Sequence, residues 1–151
     1  IAASQWFVSY PQRNSIAPAY APSVSVHEYE TIAWIERVRD AQPFVVLSHQ
    51  MLAAAALQTH GFEQTITTCH GTHLSYAIPT GGVLYQDVLA LTRGRNTKET
   101  VERLRECYGN VKLFVVLPKY WDPEGRVGQS LAPHTRETYV SGAYLYGYLL
   151  R

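Results

Sequence analysis

The residues best equipped for chemistry crowd into TTCHGTHLSYAIPTGG, residues 67–82, where a thiol, two imidazoles and a glycine pair stand close together. Cys69, His70 and His73 are donors that zinc accepts. On strands, however, adjacent side chains point to opposite faces, and here the three residues straddle a tight turn, so Cys69 does not easily share a metal with both histidines. His49 is the only plausible further ligand. The stretch therefore reads as a hairpin turn and no metal is assigned, a zinc-stabilised module through Cys69, His70 and His73 being the alternative. Downstream, Thr80 is placed to cap a helix, and Gly81-Gly82 would let an anion approach its free amides. The GK[ST] ending of a phosphate loop and the GxGxxG dinucleotide pattern are both absent, so no cofactor is expected and the glycine pair reads as close helix packing.

A second constellation depends on the fold. Ser48, His49 and Gln50 follow the apolar run FVVL, and Lys119, Tyr120 and Trp121 follow LFVVLP. Ligands of α/β proteins bind beyond the C-terminal ends of parallel strands. If the two runs are parallel neighbours, these six residues converge on one rim. Trp and Tyr beside hydrogen-bonding groups suit a sugar or a flat polar ligand, because rings pair an apolar face with a polar edge. The competing reading is that Tyr120 and Trp121 only anchor a long loop. His49 could serve as the base of a small α/β hydrolase or transferase, but Ser48 lacks the GxSxG elbow. Asp87, Asp122 and His134 show no spacing that makes a triad, so no catalytic residue is assigned.

The elements that would position these residues follow from periodicity. Residues 1–23 are Pro-rich and aperiodic, an extended lead-in with at most a short strand around residues 6–9. SVHEYETIAWIERVRD opens with Ser25 and has Glu28 three later, a capping-box spacing, with Ile32, Ile35 and Val38 on one face. FVVL and VKLFVVLP read as buried strands, and HQMLAAAALQTHG as a helix whose alanines allow close approach to the sheet. FEQTITTC and THLSYAI alternate around His70-Gly71, predicting a hairpin with a two-residue loop. Two more helices end at Gly94 and Gly109, the second capped by Asn96 with Glu99 as return partner. KYWDPEGRVGQSLAPHTRE reads as a long loop and TYVSGAYLYGYLL as one final strand, with Tyr144, Tyr146 and Tyr148 on one face. The expected fold is α/β: over residues 24–151, a single-domain mixed sheet flanked by helices, with a β-hairpin.

Composition narrows the function classes. A chain of 151 residues with 46% hydrophobic content supports about one core. The 13 basic and 12 acidic residues are interspersed, which leaves no basic stripe for nucleic acid. Charged residues are 17%, below the roughly 25% of ordinary soluble domains. The 11 tyrosines with so few charges lean toward a location outside the cytoplasm. Cys69 and Cys107 are too few for a disulfide scaffold and are expected as buried free thiols, pairing being open in an oxidising compartment. No apolar run reaches the roughly 18 residues of a membrane span. The start at IAASQWFVSY carries no signal peptide and reads as the middle of a longer chain.

The order of segments resembles a family. VSVHEYETIAWIERV followed by FVVLSHQMLAAAAL, with the Trp34-Ile35 pair in an acidic helix, then LFVVLPKYW and a Tyr-rich GAYLYGYLL, is similar to the domain that follows the membrane helices of polytopic glycosyltransferases using lipid-phosphate sugars. These form the dolichyl-phosphate mannosyltransferase and oligosaccharyltransferase superfamily. IPTGGVLYQ also looks like a turn-helix junction of related membrane proteins. The resemblance spans about residues 24–150. It implies an outward-facing, extracytoplasmic α/β domain associated with the membrane, whose partners are the membrane-embedded portion of the same polypeptide and a glycan or protein acceptor. Catalytic acids of that family sit in loops of the membrane part. The WWDYG signature is missing, YWDPEG being only an echo of it. The implied role is accessory: binding or positioning an acceptor.

Overall fold

The computed structural model describes residues 24–61, 64–74, 77–109, 111–142 and 144–151; the expected lead-in lies outside them. The first helix, α1 (Val26–Arg39), starts where the capping-box spacing places it. The Ser25 amide donates to Glu28 Oε2 at 2.6 Å and the Glu28 amide donates to Ser25 Oγ at 3.2 Å. Strand β1 (Phe44–Leu47) follows, buried throughout, and then α2 (Gln50–His60), which ends at Gly61. Ala53 and Ala56 turn inward and bring this helix close to the sheet.

The hairpin forms as β2 (Ile66–Thr67) and β3 (His73–Leu74), paired antiparallel. Its loop is longer than the expected two residues. The Thr68 amide donates to Thr72 O, and the Gly71 amide donates back to Thr68 O, leaving Cys69, His70 and Gly71 as a three-residue loop. Gly71 alone of these has positive φ, at 73°, as a turn closed by a left-handed residue requires. Helices α3 (Gly82–Thr92) and α4 (Thr97–Tyr108) come next. Neither uses the expected side-chain cap. Gly81 occupies the cap of α3 in place of Thr80, and Asn96 is left-handed at φ 49° with no side-chain bond to its helix.

Strand β4 (Lys112–Pro118) is followed by a 3-10 turn at Lys119–Trp121, then by a short helix, α5 (Arg126–Leu131), in the stretch expected as loop. Val127 and Leu131, four apart, bury there. Asp122 holds the entry by accepting from the amides of Val127 at 3.1 Å and Gly128 at 2.8 Å. The expected single final strand is two: β5 (Thr135–Ser141) and β6 (Leu145–Leu150), reversing after Ser141 with Gly142 at φ 56°. The strands order as β1-β4-β6-β5, with β1 and β4 parallel and the other pairs antiparallel. The expected mixed sheet of a single-domain α/β fold is the one formed.

Alternation along β4 separates two cores. Leu113, Val115 and Leu117 pack with apolar residues of α3, α4 and α5, while Phe114 and Val116 pack with Ile32, Trp34 and Ile35 of α1 and with α2. Each such aliphatic or aromatic side chain contributes about 1.5–3 kcal/mol by leaving water, so the central strand is the main anchor of both layers. Trp34 stacks on Tyr139 at 5.2 Å and donates its indole N–H to Glu137 at 2.9 Å. It lies so close over Gly147 of β6 that a β-carbon there would meet its ring at 2.7 Å. Among the described residues no helix is long and apolar enough to cross a membrane.

Candidate functional site

The parallel register Val45↔Leu113 and Leu47↔Val115 sends the chain after β1 and the chain after β4 to one end of the sheet. A cavity of about 560 Å³ opens there. Ser48, His49, Gln50 and Trp121 line it, joined by Tyr85 and Leu89 of α3. Of the six residues expected at this rim, Lys119 and Tyr120 are exposed on the 3-10 turn outside the lining. Tyr85, a lining aromatic, went unanticipated, because only the packing of α3 beside β1 brings it to the rim. The ring centroids of Trp121 and His49 are 6.1 Å apart, edge to face.

The hydrogen bonds here are already committed. Ser48 Oγ donates to the carbonyl of Val116 at 2.8 Å, tying the end of β1 to β4. His49 caps α2, its Nδ1 accepting from the Leu52 amide at 3.4 Å, while Nε2 meets Glu28 Oε1 at 2.8 Å. With Nδ1 accepting, Nε2 carries the proton and donates to Glu28. Glu28 thus closes the capping box of α1 and fixes the cap of α2 at the same time. Both ring nitrogens are occupied and the neighbouring serine is turned into the sheet. Among the described residues of the rim, Ser48 and His49 are not hydrogen-bonded to each other as a nucleophile and its base would be.

The remaining reactive residues are placed elsewhere. Cys69 and Cys107 form a disulfide, with Cα atoms 4.3 Å apart, and the Cys69 amide donates to Cys107 O at 2.8 Å. This corrects the expectation of buried free thiols: Cys69 sits exposed in the hairpin loop, which docks on the last turn of α4. His70 lies beside the pair, its ligand atoms within 4.8 Å of theirs. Joined sulfurs offer no thiolate, so the donor set suits a structural bridge and not zinc. His73 instead bonds Thr67 Oγ1 at 3.0 Å.

Asp87 is buried on α3 and pairs with Arg103 of α4, Asp122 caps α5, and His134 ends a 3-10 turn, so the three do not converge. Burial first, and then the Asp87 charge, pushes the Tyr108 phenol above its ordinary value. A serine, a histidine and a glutamate do meet where α1 faces the β5–β6 turn. Ser141 Oγ donates to Glu30 and lies 3.1 Å from His27 Nδ1. The Ser141 bond, then His27, holds the Glu30 carboxyl below the usual range. The hydroxyl is spent on the carboxylate and Ser141 is buried, which makes this cluster a latch between α1 and the turn.

Fold and rim together define an α/β domain with an aromatic-walled cavity where its parallel pair ends. No family model, no curated protein and no solved structure matches this chain.

Proposed function

We propose that this chain is an accessory, non-catalytic domain that binds a glycan acceptor on the extracytoplasmic side of a membrane-embedded glycosyltransferase. The observation that carries the reading is the rim cavity, in which Trp121 and Tyr85 supply ring faces beside Ser48, His49 and Gln50. Ring faces take up the apolar side of a sugar, and the Gln50 amide and Tyr85 phenol, not the Ser48 hydroxyl bound to Val116, take up its hydroxyls. A His49 engaged at both nitrogens favours binding over reaction. The Cys69–Cys107 disulfide belongs in an oxidising compartment, which agrees with an outward-facing location. The link to a glycosyltransferase, with the membrane portion of the same polypeptide as partner, rests on the resemblance of segment order.

A glycan array followed by calorimetry with α-linked mannobiose tests this. The expected result is sugar binding that falls at least tenfold in Trp121→Ala and survives in His49→Gln at a reduced level. An array with no bound glycan, or binding indifferent to Trp121, overturns the reading.

A further inference from the structure

At the other end of the sheet lies a larger cavity, about 690 Å³, lined by Gln42, Arg105, Lys112, Arg136 and Arg151 among others. Four side-chain cations line it and, among the described residues, no acidic side chain does. In a chain whose formal charge is only +1, this is a marked local excess. It comes from topology: Lys112 opens β4, Arg136 lies at the start of β5, Arg151 follows β6, and Arg105 is in the last turns of α4. Antiparallel pairing of β5 and β6 sets Thr135 opposite Leu150 and so brings Arg136 and Arg151 together.

Arg105 is the unusual member. Its Nε and Nη2 are buried and have no hydrogen-bond partner. Burial pushes its pKa below the ordinary arginine value. Arg105 also lines a second cavity with Glu102, Glu106, His134 and Arg151, yet neither carboxylate pairs with it. Among the described residues no acidic group lies within ion-pair distance of Lys112, Arg136 or Arg151 either. A desolvated, unpaired guanidinium is costly unless a counter-charge arrives, and its Nε–Nη2 edge is the fork that matches two oxygens of an oxyanion.

We propose that this basic cavity is a second binding site, for a small soluble phosphorylated ligand, with Arg105 as its anchor and Lys112, Arg136 and Arg151 neutralising the rest of the charge. Because the Nε–Nη2 edge is buried, engaging the phosphate requires the Arg105 side chain to rotate toward the cavity it lines. A lone carboxylate brings one charge to four cations, whereas a phosphate brings nearly two and a pyrophosphate more, which favours the phosphoryl group. The cations converge on one cavity of small-molecule size instead of lying along a stripe, which disfavours a nucleic-acid strand.

Calorimetry with inorganic pyrophosphate at low salt reads the site. The expected result is 1:1 binding that weakens as salt rises, falls at least tenfold in Arg105→Lys, which keeps the charge but loses the fork, and falls further in Arg105→Gln. Arg136 is exposed, so Arg136→Gln leaves the fold intact and is expected to cost three- to tenfold. Unchanged affinity in the Arg105 variants, or no binding of pyrophosphate, overturns the proposal. Capture on phosphatidic acid vesicles without binding of free pyrophosphate overturns the assignment to a soluble ligand.

Discussion

The two ends of one sheet make an instructive pair. At the C-terminal end of β1 and β4, aromatic rings surround polar groups whose hydrogen bonds are already spent: Ser48 on Val116, His49 on Leu52 and Glu28. At the opposite end, cations surround a guanidinium with two nitrogens unspent. The seven residues of β4, at about 3.3 Å each, hold these ends roughly 20 Å apart. One rim is built for stability and offers ring surface, while the other tolerates an internal electrostatic cost and offers charge. Under the two proposals above, the aromatic rim positions a neutral ligand and the basic rim a charged one.

The contrast is open to attack at several points. The largest effect is expected from Cys69→Ala with Cys107→Ala. The bridge closes a loop with a sequence separation of 38, and losing that constraint costs about 4 kcal/mol in the chain-entropy picture. Denaturant unfolding measures the loss. Because Cys107 is two residues from Arg105, hydrogen exchange in the folded double variant should rise at the end of α4 and stay low at Ser48–Gln50. Next, Glu28→Ala removes the return bond of the capping box and the partner of His49. It is expected to cost about 1–2 kcal/mol, read from the shift in unfolding midpoint, and to loosen the aromatic rim only.

Arg105→Met should act in the opposite direction. Replacing an unpaired, half-buried charge by an apolar side chain is expected to stabilise the ligand-free protein by about 1 kcal/mol, visible as a higher melting temperature. A destabilised variant would mean that the guanidinium is already satisfied. The smallest effect is on the alkaline side. Burial first, then the Asp122 charge, raises the Tyr148 phenol, and Tyr108 is raised by burial and Asp87. A phenol with a folded pKa above its unfolded one contributes stability that is fully present below about pH 10 and is lost as pH rises through the folded value. Unfolding followed by tyrosinate absorbance should show this loss, and Tyr148→Phe should diminish it.

What the sequence made legible tracks the range of the interactions. The capping box at Ser25 and Glu28, the buried runs FVVL and VKLFVVLP and the stops at Gly61, Gly94 and Gly109 are local, and they stand where periodicity places them. The apolar runs marked two buried strands but left their parallel adjacency as a condition; the pairing of β1 with β4 meets it and brings Ser48, His49, Gln50 and Trp121, four of the six residues named, to one cavity. Local signals failed where tertiary contacts decide. Asp122 turns an expected loop into α5, and Gly142 splits an expected strand into two. The fate of Cys69 depends on where the hairpin lands on α4. The basic rim was invisible because Arg105, Lys112, Arg136 and Arg151 are interspersed with acids along the chain and meet only when β5 and β6 close the sheet.

The central claim is that the two rims are separate sites of different chemistry. Backbone amide chemical shifts, mapped by NMR during titrations with mannobiose and then with pyrophosphate, address it most directly. The account predicts that the sugar moves Ser48, His49, Gln50 and the Trp121 indole, and that pyrophosphate moves Arg105, Gly109 and Lys112 without touching the first set. Both titrants shifting the same rim, or neither shifting any of these residues, would contradict it.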